Sequence, residues 1–178
     1  MGDSQPRRLE ERLISEIVAI CAVVALTLVQ MTLLITPWGF PPPLLLVVVI
    51  SRALVAVGSA FPDAGIFAAL RWACYGGLTL DLFSGLPLGC HIFALVLAIG
   101  LVSIATRSLQ IEGLLIPLLA MLAGSLIYEI SLALIANFVG SEIGWRNYAT
   151  IVIVPSVLLA LVPPPPIFAL MRRAFTNA

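Results

Sequence analysis

Four ionisable side chains sit inside apolar stretches of the chain: Arg52, Arg71, Asp81 and Glu129. A charge placed in lipid costs several kcal/mol even on lenient insertion scales, so each needs a partner or a purpose. Arg52 and Glu129 each fall about eight residues, roughly 12 Å, from the same end of their apolar runs. That match predicts an Arg52–Glu129 ion pair, read as a structural lock between two helices. Asp81 lies just before the reversal Gly85-Leu86-Pro87-Leu88-Gly89, where its carboxylate can accept backbone N–H groups as an Asx-type cap does. His91 follows just across that reversal. An Asp–His pair is also a fragment of catalytic machinery, but the rest is missing. There is no Gly-x-Ser-x-Gly elbow, no second His and no further carboxylate paired in sequence for acid–base work. The cap is the preferred reading. Arg71, about 15 Å below Asp81 on one helix, can snorkel to headgroups beside Trp72.

The elements that must carry these residues follow from composition. The 178 residues are 61% hydrophobic and 10% charged, with a mean hydropathy of +1.15. A soluble domain is nearer half apolar and a quarter charged, so this chain must be solvated largely by lipid. At about 20 residues per span there is room for six crossings with short connections. The formal net charge is zero, which leaves no basic field for nucleic acid. Cys21, Cys74 and Cys90 are an odd set of scattered thiols in apolar runs, without the spacing of a disulfide framework or a metal site. No catalytic residue, cofactor or metal ligand is expected.

The reading along the chain is an all-α, six-span membrane domain over 17–173, preceded by a cytoplasmic interfacial segment (1–16) and followed by a short tail (174–178). Spans are expected at 17–36, 44–60, 64–84, 89–106, 114–137 and from 148. The first apolar run is too long for a signal-peptide core and Thr36-Pro37-Trp38 is no small-residue cleavage site, so it reads as a retained anchor. Arg7, Arg8, Arg12, Arg107, Arg172 and Arg173 fall on one side of this topology and Arg146 on the other. By the positive-inside rule both termini are cytoplasmic. Residues 148–162 make only about 22 Å of helix, and Pro163, Pro164, Pro165 and Pro166 then forbid helical hydrogen bonding. A helix break before the cytoplasmic face is predicted there. Gly76 and Gly77 in the third span and Ala120 and Gly124 in the fifth are small-residue patches that let helices approach closely, within the bundle or against a partner.

The segment Tyr75-Gly76-Gly77-Leu78-Thr79-Leu80-Asp81-Leu82-Phe83-Ser84-Gly85-Leu86-Pro87-Leu88-Gly89 resembles the signature of MreD, the rod shape-determining membrane protein family of bacteria. Gly77, Leu78, Asp81, Gly85, Pro87, Leu88 and Gly89 match the family pattern, and the resemblance is clearest over 60–105. It implies a multi-pass protein of the bacterial cytoplasmic (inner) membrane, similar in fold to the substrate-binding subunits of energy-coupling-factor vitamin transporters. It also implies a non-enzymatic scaffold of the cell-elongation machinery, supporting cell shape and peptidoglycan synthesis. The implied partners are membrane lipids and MreC, and through MreC the glycosyltransferase RodA, a class B penicillin-binding protein and MreB. The alternative is a vitamin-capturing transporter subunit, for which Asp81, His91, Glu129, Asn137 and Trp145 would line a cavity. An intramembrane enzyme would need clustered carboxylates, a nucleophile–base pair or a metal set, and the sequence offers none.

Overall fold

The computed structural model describes residues 5–32, 43–58, 61–108, 115–140 and 144–161. Among these the regular structure is entirely helical: α1 (Gln5–Thr32), α2 (Leu44–Val57), α3 (Pro62–Phe83), α4 (Cys90–Ser108), α5 (Leu115–Phe138), α6 (Trp145–Tyr148), a π-helical turn (Ala149–Ile153) and α7 (Val154–Leu161). Leu13–Thr32, Cys90–Arg107 and Pro117–Phe138 are long and apolar enough to cross a membrane, while Leu44–Val57 and Trp145–Ala160 are shorter apolar helices. These helices mark the chain as a membrane protein. Helix α3 has 22 residues, about 33 Å at 1.5 Å each, but carries Asp63, Arg71 and Asp81.

Helix α1 runs unbroken from Gln5 to Thr32, so the described part of the expected 1–16 segment and the first span are one continuous helix. No Gly or Pro interrupts the apolar pattern between Leu9 and Leu28, and nothing else stops helix propagation there. Glu16, on this stretch, pairs with Arg71 of α3. Arg71, expected to reach for headgroups, is thus held by a carboxylate while remaining half exposed.

Helix α2 is the centre of the bundle. Leu45 to Ser51 are all buried, as are Ala53 and Ala56, the pattern of a helix enclosed on every side. It packs on α1, α3, α4 and α5. Its first turn has no side-chain cap of its own. The buried Gln30 of α1 supplies one, its Oε1 accepting the Leu45 N–H at 2.9 Å, which satisfies a donor that a helix start leaves orphaned.

The small residues decide how closely the helices approach. A Cβ on Gly76 would meet the Leu45 side chain at 2.5 Å, and one on Gly77 would meet the Ile92 backbone at 2.7 Å. One on Gly124 would collide with Ile50, and Ala120 is buried. These patches therefore serve packing inside the bundle. At the far end of α3, Asp63 in its first turn meets Arg107 in the last turn of α4 at 2.5 Å. Each charge has the sign that its helix terminus favours. Pro163, Pro164, Pro165 and Pro166, with the helix break expected at them, lie outside the described residues.

Candidate functional site

The α3–α4 reversal is built around Asp81. Helix α3 ends as Ser84 N–H bonds Leu80 O at 2.8 Å. Gly89 adopts φ +102°, a left-handed conformation that costs any residue with a Cβ, and its carbonyl accepts the first α4 bond from Phe93 at 2.9 Å. The Asp81 carboxylate, only 3% exposed, accepts the N–H of Gly89 through Oδ2 at 2.8 Å and that of His91 through Oδ1 at 2.9 Å. It thus caps α4 from the neighbouring helix, placing an anion at a helix N-terminus with its lone pairs satisfied. The His91 Nδ1 lies 2.8 Å from the same Oδ1. With a carboxylate as partner, Nδ1 carries the proton.

Beyond His91 stands Tyr128 of α5, its ring centroid 6.3 Å from the imidazole and inclined by 51°. The next residue, Glu129, is buried. Its Oε2 accepts the Tyr148 hydroxyl at 3.3 Å, and the buried Ser156 side chain of α7 lies beside its carboxyl. Six side chains from α3, α4, α5, α6 and α7 thus line one polar seam.

Arg52 and Glu129 do not form the predicted pair. The Arg52 guanidinium lies 4.6 Å above the Trp72 ring, a cation–π contact, and Glu129 faces α6 and α7. The cause is helix register. Gly124 of α5 seats on Ile50 of α2. From that contact Glu129 is five residues on in one direction and Arg52 two residues on in the other, a separation of about 10 Å along the axes. Helix α5 overshoots α2, so equal depth from each helix end was not equal height in the bundle.

Among the remaining motif residues, Gly77 is buried against α4. Leu78 and Leu88 are exposed at 47% and 69%, and Gly85 and Pro87 are exposed in the reversal. Asn137 and Trp145 are also exposed. Tyr148 and Ser156 escaped the sequence because residues eight apart on a regular helix diverge by about 80°. The π turn removes that offset: Val154 N–H bonds Ala149 O, five residues back, which absorbs one extra residue. The two hydroxyls then stand as residues seven apart would, within about 20° of one face. Pro155 has no N–H for the Ile151 carbonyl, and Thr150 Oγ1 bonds the carbonyls of Arg146 and Asn147 at 3.1 and 3.2 Å. Both disturb the regular ladder at this point.

Among the described residues no three His, Cys, Asp or Glu side chains converge as metal ligands. Compared with known proteins, the chain matches no family model, no curated protein and no solved structure.

Proposed function

We propose that the chain is a six-span protein of the bacterial cytoplasmic membrane, with both termini inside, that serves as a non-enzymatic scaffold of the cell-elongation machinery. It binds MreC, and through MreC works with RodA, a class B penicillin-binding protein and MreB in peptidoglycan synthesis. The observation that carries this reading is the 77–89 segment. Its resemblance to the MreD signature rests on positions with separate physical roles. Gly77 admits α4, Asp81 caps it, and Gly89 takes the left-handed turn. Leu78, Gly85, Pro87 and Leu88 have no such internal role and lie at the surface, where a partner can meet them. The small-residue patches are spent inside the bundle, so a partner's helix docks on larger apolar side chains. Depleting the protein in its host tests the role: rods that become round support it, and rods of unchanged width contradict it.

A second reading, a vitamin-capturing transporter subunit, is favoured by the polar seam of Asp81, His91, Tyr128, Glu129 and Tyr148. Asp81 is already occupied by three hydrogen bonds, which leaves fewer groups for a solute. A vitamin that remains with the purified protein would support this reading over the scaffold.

A further inference from the structure

Glu129 is 7% exposed, and among the described residues no basic side chain lies within ion-pair reach of it. The groups in contact with it are neutral, and Arg146 of α6 is exposed. Tyr148 and Ser156 face it from α6 and α7, and Tyr128 adjoins it on α5. His91 of α4 stands beyond Tyr128 and is committed to Asp81 of α3. The cation of α2, Arg52, lies on Trp72. An anion so enclosed carries a desolvation cost with no counter-charge in ion-pair reach to offset it. A neutral carboxylic acid there needs only ordinary hydrogen bonds, and the Tyr148 hydroxyl provides one with the Ser156 hydroxyl beside it. The π turn is what brings both hydroxyls to the same carboxyl, and such turns concentrate at functional positions.

We propose that Glu129 is a proton-binding site, loaded when α6 and α7 are seated on α5. The acid O–H donates to one hydroxyl and the carbonyl oxygen accepts from the other. The proton comes from water and returns to it, and no other bond is made or broken. Emptying the site leaves a bare carboxylate at the α5–α7 interface and loosens α6 and α7, so proton occupancy and the seating of the last described helix are one equilibrium.

The test uses the full chain in lipid nanodiscs at neutral pH. The infrared difference between wild type and Glu129→Gln is expected to show a protonated-carboxyl C=O band that the variant loses. Tyr148→Phe and Ser156→Ala are expected to shift that band without abolishing it, and they serve if Glu129→Gln does not fold. Thermal unfolding gives a second readout. A proton held by the folded chain but not by the unfolded one stabilises at low pH. That stability declines as pH rises and is gone once the folded site empties. Wild type is expected to show this loss and Glu129→Gln to lack it. A missing carboxyl band, or the same pH dependence in both proteins, overturns the proposal. So does a wild-type Tm that rises with sodium at fixed pH, since the ligand would then be an alkali cation.

Discussion

Asp81 and His91 are joined twice through one oxygen: Oδ1 of Asp81 receives the His91 backbone N–H at 2.9 Å and lies 2.8 Å from its ring Nδ1. The reversal between α3 and α4 therefore depends on a side chain rather than on turn residues alone. Asp81→Ala strands two buried N–H groups and a histidine, and is expected to destabilise the protein by about 2–4 kcal/mol. Asp81→Asn keeps one acceptor oxygen and is expected to lose about half as much. Thermal unfolding in detergent measures both, and an Asp81→Ala protein as stable as the wild type would show that the carboxylate is not the cap.

Two glycines of the same segment separate packing from turn chemistry. Gly77→Ala drives a methyl group into the Ile92 backbone and is expected to cost about 1–3 kcal/mol as α3 and α4 move apart. Gly85→Ala meets nothing within 4 Å and is expected to change stability by less than about 0.5 kcal/mol. A Gly77→Ala protein as stable as Gly85→Ala would contradict the close α3–α4 approach.

Arg52 and Glu129 have separate partners, so their effects are expected to add. Arg52→Met and Glu129→Gln should each lower stability, and the double variant should match their sum within about 0.5 kcal/mol. A double variant clearly more stable than the sum would restore the direct pair.

Topology is open to cysteine labelling. The native thiols Cys21, Cys74 and Cys90 are free and must first be replaced. In intact cells a membrane-impermeant maleimide is expected to label Gly85→Cys and Val139→Cys. Gly58→Cys, in the α2–α3 turn, should react only after permeabilisation. Labelling of Gly58→Cys in intact cells would invert the proposed orientation.

What could be read from the sequence was local. Apolar runs and their Pro and Gly boundaries placed α2 to α5 within a few residues, because helix limits follow from breakers and lipid-length hydrophobicity. The Asp81 cap was legible too, since a carboxylate one turn before a Gly-Pro-Gly reversal has few other donors to satisfy. Relations between helices were not. The heights of Arg52 and Glu129 depend on where Gly124 seats on Ile50, a contact set by shape that leaves no periodic signal. The convergence of Tyr148 and Ser156 was hidden by the π turn, because regular helical phase assigns them to different faces. Glu16 reaching Arg71 and Gln30 capping α2 were missed for the same reason, being side-chain contacts between separate helices.

We propose that this bundle acts by holding a partner's membrane helix. Affinity purification of the full-length chain from native membranes, solubilised in mild detergent, tests it most directly. MreC is expected to be retained with the wild-type protein and lost from a folded Leu78→Ser/Leu88→Ser variant. Wild-type protein that emerges intact but without MreC, whatever its stability, would contradict it.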